Sequence, residues 1–155
     1  MLAVVFAISV TLVPAAVVEG ADRSPEEAWS YPKFGFGSQF VFPSGGLSSR
    51  VWFSEEVGVE ANAILWSNPR RGLSGTASLR MLYRLTPDRV VDFYLAGGGA
   101  YNLGSSGANL IGIGTGGISF EVFSRAFVLN LEFGLEGRGI NRFGMTFGSG
   151  FHYYF

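Results

Sequence analysis

The sequence predicts an all-β fold in which eight antiparallel strands close into an up-and-down barrel. From residue 33 to the end of the chain, apolar residues recur at every second position, which is the period of a β-strand. Eight such segments follow one another, separated by short turn-forming sequences such as PSGG and TPDR. Short links between consecutive strands require antiparallel neighbours. The charged residues of the segments all lie on the face opposite the apolar one, so each strand has one apolar and one polar side.

Composition and charge exclude several classes of function. Of the 155 residues, 48% are hydrophobic and 15% are charged, whereas typical soluble domains have about 25% charged residues. The formal net charge of −1 provides no strong positive field, so we do not expect a nucleic-acid partner. The chain has no cysteine, which excludes disulfides, thiolate metal sites and cysteine nucleophiles.

The first 20 residues form the longest apolar run of the sequence. A run that ends in small residues before a polar stretch is typical of a secretory signal peptide, and we place the cleavage after Gly20. A transmembrane helix of about the minimum length is the alternative. Residues 21–32 are polar and contain Pro25 and Pro32, which predicts an irregular lead-in; this lead-in would be periplasmic if the strands that follow form a barrel in an outer membrane. The barrel would then occupy residues 33–155.

Each predicted strand is defined by its alternation of apolar with polar or small residues. The strands are, in chain order, KFGFGSQFVF (33–42), LSSRVWF (47–53), VGVEANAIL (57–65), LSGTASLRMLYRL (73–85), VVDFYLAGGGAY (90–101), LIGIGTGGISFEVF (110–123), AFVLNLEFGLEGR (126–138) and FGMTFGSGFHYYF (143–155). Their apolar faces carry, in the same order, Phe34 and Phe36, Leu47 and Val51, Val59 and Leu65, Leu79 and Met81, Phe93 and Leu95, Ile118 and Phe120, Leu129 and Leu131, and Phe147 and Phe151. Only the sixth segment changes phase, because Ile111 and Ile113 have the opposite parity. A β-bulge near Gly116 and Gly117 would restore the phase.

The polar faces combine glycine with charge, which suits the narrow interior of a closed barrel, while the apolar faces suit lipid. A sheet in lipid must close, since every backbone polar group has to bond within it. The predicted luminal charge network contains Arg50, Glu60, Arg80, Arg84, Asp92, Glu121, Glu132 and Glu136. Lys33 shares this face, and Arg138 is a further candidate. Hairpin register predicts Arg84 nearly opposite Asp92, and Glu60 near Arg80.

The balance of these charges favours a salt-bridged plug in the lumen, because a selective pore would show one dominant sign. The many inward glycines leave a narrow passive channel for small solutes as the alternative. We therefore expect a structural component of the envelope that is not an enzyme. A lipid-modifying enzyme of the outer membrane is a third hypothesis.

The last strand ends on three alternating aromatic residues, Phe151, Tyr153 and Phe155. With the eight alternating segments before it, this ending resembles the small eight-stranded outer-membrane barrels of the OmpA/OmpX kind over residues 33–155. The resemblance implies a monomer in the outer membrane of a diderm bacterium. It also implies that the barrel-assembly machinery recognises the final strand during insertion.

The turns on the outer side of such a barrel would carry Arg70, Arg71 and Arg142 without a neighbouring acid. An arginine rim suits the phosphates of lipopolysaccharide, which guanidinium groups bind bidentately. Ordinary solvated turns are the alternative interpretation.

Two features of the sequence could indicate a catalytic, metal or cofactor site, and we assign such a role to neither of them. His152 is the only histidine, so it cannot form a histidine-rich metal site, and Ser149 has the wrong parity to be its nucleophile. We interpret His152 as a structural side chain of the lumen. Gly112–Gly117 matches a dinucleotide-binding glycine motif, but a predicted strand follows it where the motif requires a helix. We expect no cofactor and no metal.

Overall fold

A computed structural model describes residues 31–42, 44–68, 72–87, 90–104, 107–122, 124–138 and 142–155. These residues form one closed barrel in which every strand pairs antiparallel with its neighbours in chain order. The strands are β1 (Lys33–Val41), β2 (Ser44–Trp52), β3 (Val57–Asn68), β4 (Gly72–Arg84), β5 (Val91–Gly104), β6 (Gly107–Val122), β7 (Ser124–Gly137) and β8 (Phe143–Tyr154). The predicted fold class and the order of its eight strands are confirmed.

The barrel closes where β8 pairs with β1, and this pairing extends to the last residue. Seven residue pairs join the two strands, from Gly35 with Tyr154 to Val41 with Gly148. Beyond them, the backbone N–H of Phe155 donates to the carbonyl of Phe34 at 3.0 Å. Phe155 is therefore part of the hydrogen-bonded sheet. We call the barrel end at which β1 begins and β8 ends the terminal end, and the opposite one the far end.

The two faces of the strands lie as the alternation predicts. Large apolar side chains cover the outside, where residues such as Leu131, Phe133 and Phe147 are 54–72% exposed. The charged residues Arg50, Glu60 and Glu132 point into the lumen and are buried. This arrangement inverts that of a soluble barrel, whose exterior would be polar.

The bulge predicted near Gly116 and Gly117 is wrong. The pairing of β6 with β5 is continuous through both glycines, and the register of β6 against β7 shifts only between Glu121 and Val122. Ile111 and Ile113 consequently keep their inward parity and are buried with Val41 and Ala100. The change of phase in the sequence marks an apolar layer in the lumen, where hydrophobic residues occupy the inner face of a regular strand.

The predicted signal peptide (1–20) and most of the lead-in (21–32) lie outside the described residues. The first described residue is Tyr31. Tyr31 packs against the buried aromatic residues at the terminal end of the barrel. In the described ranges, no helix is long and apolar enough to cross a lipid bilayer.

Candidate functional site: the barrel lumen

Strand register places three charged residues side by side on β2, β3 and β4. Arg50 lies opposite Glu60, and Glu60 lies opposite Arg80. Because opposite residues of an antiparallel pair share a face, all three side chains enter the lumen at one level. Arg50 donates from Nε to Oε2 of Glu60 at 2.9 Å, and Arg80 donates from Nε to Oε1 at 3.1 Å. One carboxylate therefore binds two guanidinium groups, which also donate to it through their Nη2 atoms.

Glu132 completes this group from β7, on the other side of the lumen. Its carboxylate accepts from Arg80, through Nη2 at 3.0 Å and also through Nη1. Neutral donors satisfy its remaining sites: the hydroxyl of Tyr94 at 2.8 Å, the hydroxyl of Thr115 at 2.9 Å and the amide of Gln39 at 3.1 Å. The ionic layer, as we name Arg50, Glu60, Arg80 and Glu132, thus pairs two cations with two anions.

Apolar side chains lie on both sides of the ionic layer. Towards the terminal end, two residues beyond Arg50 and Arg80 along their strands, Trp52 and Leu82 are buried. They belong to a cluster that contains Trp52, Leu82, Tyr94, Ala96, Val128 and Tyr154. Towards the far end lies the second cluster, made of Val41, Ala100, Ile111 and Ile113. The side chains of Arg80, Glu60 and Glu132 are 0% exposed between the two clusters.

A second set of predicted charges lies at the terminal end. The Nε atom of Arg84 is 3.2 Å from Oδ2 of Asp92, and its guanidinium lies 4.0 Å from the centre of the Trp52 ring. The indole N–H of Trp52 donates to the hydroxyl of Tyr154 at 3.1 Å, and the ammonium of Lys33 lies 4.6 Å from the centre of the Tyr154 ring. Glu121 is half-buried at the same end of β6.

The far end holds the remaining predicted residues. Glu136 is buried, and Arg138 lies just beyond β7 with a 47% exposed side chain, 3.3 Å from the carboxylate of Glu136. Arg138 is therefore a rim residue outside the lumen. Arg142 is exposed on the same hairpin, while Arg70 and Arg71 lie outside the described residues.

His152 has partners that the sequence reasoning missed. Its Nε2 atom lies 2.7 Å from the hydroxyl of Ser48 on β2, and its Nδ1 atom lies 2.9 Å from the amide nitrogen of Asn130 on β7. The contact with Ser48 reaches across β1, where Gly37 is the register partner of both residues and has no side chain to separate them. The sequence could have revealed this contact only if the register of barrel closure had been known, because Gly37 then lies between the two polar residues Ser48 and His152.

The hydrogen bonds of this group determine what His152 can do. The side-chain oxygen of Asn130 accepts from Arg50 at 3.1 Å, so the amide nitrogen of Asn130 faces the imidazole. An amide nitrogen only donates, hence Nδ1 accepts and the ring proton lies on Nε2, from which it is donated to Ser48. In this tautomer His152 cannot take a proton from the Ser48 hydroxyl. In the part of the chain that the structure describes, no group of three or more acidic or histidine side chains could hold a metal ion.

The eight-stranded antiparallel barrel is the fold that the resemblance of the sequence to small outer-membrane barrels of the OmpA kind predicted. One solved structure with this architecture is the N-terminal β-barrel domain of OprF from Pseudomonas aeruginosa. It is 13% identical in sequence, and the match covers 79% of this chain and 96% of that domain with a TM-score of 0.50. No protein-family model matches the sequence, and a search of curated proteins finds no significant match.

Proposed function

We propose that this chain is an integral outer-membrane protein with a closed lumen and a structural role in the envelope. The observation that carries the proposal is the inverted distribution of polarity, in which hydrocarbon covers the outside of the barrel and paired charges fill its inside. We place the protein in the outer membrane of a diderm bacterium as a monomer.

The exterior supports the membrane location. Phenylalanine, leucine and methionine side chains that are more than a third exposed occur on the outer faces of both neighbouring and opposite strands. A patch of this extent is incompatible with a monomer in water. A closed barrel leaves no free backbone edge, which is the condition for strands that cross hydrocarbon.

The layering of the interior supports a closed lumen. A solute that entered from the terminal end would first meet buried Trp52 and Tyr94, and then the ionic layer. Beyond it lie Ile111 and Ile113, which are 0% and 4% exposed. Passage would require the separation of ion pairs flanked by apolar side chains, at a cost of several kcal/mol for each charge left unpaired.

The geometry around His152 supports a role without catalysis. A serine hydrolase needs a hydroxyl that donates to the histidine, whereas here the histidine donates to Ser48. Both residues are at most 1% exposed, so no lipid could reach the hydroxyl.

Two partners belong to this proposal. The outward side chains of Phe151, Tyr153 and Phe155, which are 38–74% exposed in and just after β8, would be recognised by the barrel-assembly machinery. Arg142, with Arg70 and Arg71 as expected from the sequence, would bind lipopolysaccharide phosphates, and the exposed guanidinium of Arg138 could join them.

The membrane location is tested by refolding the purified chain from urea into detergent or lipid vesicles. We expect a β-sheet circular dichroism spectrum and a gel mobility that changes on heating, because a closed barrel binds little denaturing detergent until it is boiled. Folding in plain buffer to a stable, soluble monomer would contradict the proposal.

The closed lumen is tested by single-channel recording in planar bilayers with the refolded protein. We expect no steady conductance steps. Steps whose size changes in an Arg80→Gln variant, but not in a Glu56→Gln variant altered on an exposed turn, would overturn the closed lumen. That result would establish the narrow channel instead.

A further inference from the structure

The pairing of β1 with β8, which we call the closing seam, lacks a constraint that all other strand pairs have. Each of the other pairs joins consecutive strands, so a short turn fixes its register. The closing seam joins the first strand to the last one, and no turn connects these two strands. A slip by one residue would turn the apolar face inward, but a slip by two would preserve the facing of every side chain. Another feature must therefore select the register.

The luminal side of the closing seam alternates glycine with large side chains. Its four inward pairs are Gly35 with Tyr154, Gly37 with His152, Gln39 with Gly150, and Val41 with Gly148. Each pair contains one glycine and one larger residue. The glycines change strand half-way, from β1 near the terminal end to β8 near the far end.

Close contacts show that these glycines make space for residues across the seam. A Cβ atom on Gly35 would lie 2.5 Å and 2.7 Å from two carbons of the Tyr154 ring. At Gly150 it would lie 2.7 Å from the side-chain carbonyl carbon of Gln39, and at Gly37 it would lie 2.9 Å from the Cα of His152. Atoms at these distances overlap. A side chain at Gly37 or Gly150 would meet the backbone of the other strand, and one at Gly35 would displace the ring of Tyr154 from its place in the lumen.

Both possible slips by two residues break the alternation. In one direction Gly37 would face Gly150, which leaves a void between two residues without side chains. In the other direction Gln39 would face His152, which places two large side chains in the space of one. We propose that the reversed order of glycine and bulk along β1 and β8 is a steric code that selects the register in which the barrel closes.

The strand pairs joined by turns do not follow this rule. Among the described residues, each of them has at least one inward pair with two side chains: Lys33–Trp52, Arg50–Glu60, Glu60–Arg80, Leu82–Ala96, Ala96–Thr115, Ser119–Asn130 and Val128–His152. The strict alternation is thus confined to the one pair of strands whose register no turn determines.

The register of the seam can be measured by oxidative cross-linking, since the chain has no native cysteine. In the native register Phe40 lies opposite Ser149, and both side chains point outward, away from the proposed code. The reporter for this register is Phe40→Cys/Ser149→Cys. Phe40→Cys combined with Phe147→Cys or with Phe151→Cys reports the two slips. Directly opposite Cβ atoms are about 4.5–5.5 Å apart and diagonal ones about 7–8 Å, so disulfide yield distinguishes the registers.

The test uses Gly35→Leu in the full chain, refolded with each reporter. This change should lower the ratio of native to slipped cross-links about tenfold. The reason is that a moderate overpacking penalty on the native register shifts the equilibrium between two registers by about that factor. The increase should fall on the Phe151→Cys reporter, since that slip moves residue 35 past the end of β8. The swap Gly35→Leu/Tyr154→Gly restores one large residue to the pair and should recover the native cross-link.

The matched control is Gly117→Leu. Gly117 also faces an aromatic ring in the lumen, that of Tyr94 on β5, but it lies far from the seam. Its substitution should lower stability and leave the cross-linking ratio unchanged. An unchanged ratio in Gly35→Leu, an equal shift in Gly117→Leu, or a swap as impaired as the single variant would each overturn the proposal. A swap that folds where Gly35→Leu does not would support it.

Discussion

Leu131 and Glu132 are neighbours on β7, yet their side chains have opposite surroundings. The side chain of Leu131 is 54% exposed on the outside of the barrel. It requires only apolar surroundings there and no specific contact. The carboxylate of Glu132 is 0% exposed and has five hydrogen bonds to four residues of other strands. The outer face is thus specified by hydrophobicity alone, while the inner face is specified by individual partners.

This difference determines how each face responds to change. On the outside, a substitution should be tolerated if it stays apolar, because in the proposed membrane location the surrounding lipid adapts to its shape. On the inside, removal of one member of the ionic layer leaves the others buried without compensation. Substitutions on the two faces should therefore lower the free energy of unfolding for different reasons. On the outer face the loss depends on the surrounding solvent, and on the inner face it depends on the partners that remain buried.

The largest effect is expected for Glu60→Gln, which removes the carboxylate shared by Arg50 and Arg80. The layer would then contain two guanidinium groups and one carboxylate, and the free energy of unfolding should fall by about 3–5 kcal/mol. The measurement is urea unfolding in lipid vesicles, followed by tryptophan fluorescence.

Two control variants show whether unpaired charge is the cause of this loss. Glu60→Gln/Arg50→Gln restores the charge balance and should be less destabilised than Glu60→Gln alone. Glu56→Gln removes the same charge from an exposed turn and should change the free energy of unfolding by about 0.5 kcal/mol or less. Equal losses for Glu56 and Glu60 would show that the interior is as well solvated as the turn.

The outer face is tested by Leu131→Arg. In the proposed membrane location, a guanidinium at position 131 lies near the middle of the bilayer and should lower the free energy of unfolding by about 2–4 kcal/mol. Leu110→Arg, at the start of the described part of the outer face on β6, lies nearer the far end and should cost about 0–1 kcal/mol. If both substitutions were equally costly, the apolar belt would not have the depth profile of a membrane.

The comparison of the two faces also explains what the sequence could predict. Facing needs only parity, so the outward position of Leu131 and the inward position of Glu132 follow from alternation. The Glu60–Arg80 contact follows from the register of a hairpin with a short turn. These are local properties, and they require no knowledge of how the barrel closes.

Contacts across the lumen or across the closing seam could not be derived in this way. Glu132 meets Arg80 across the interior, and His152 meets Ser48 over Gly37, so both contacts depend on closure and stagger of the whole barrel. Ile111 and Ile113 misled the prediction because alternation cannot distinguish an apolar layer inside the lumen from a change of facing. Period alone identifies a face but not what surrounds it.

The smallest effects are expected at two adjacent glycines on β5, where the faces can be compared without any charge. A Cβ atom on Gly97, which points outward, would have no atom within 4 Å. Gly97→Ala should therefore raise the free energy of unfolding by about 0.5–1 kcal/mol, because alanine loses less backbone entropy than glycine.

At Gly98, on the inner face, the added carbon would lie 2.7 Å from the Cα of Arg80, and Gly98→Ala should lower the free energy of unfolding by about 1–3 kcal/mol. The same urea titration measures both variants. Opposite signs would mean that inner glycines are required by close packing and that outer ones are not, whereas a loss at Gly97 as large as at Gly98 would mean that the outer surface of β5 is also packed against something.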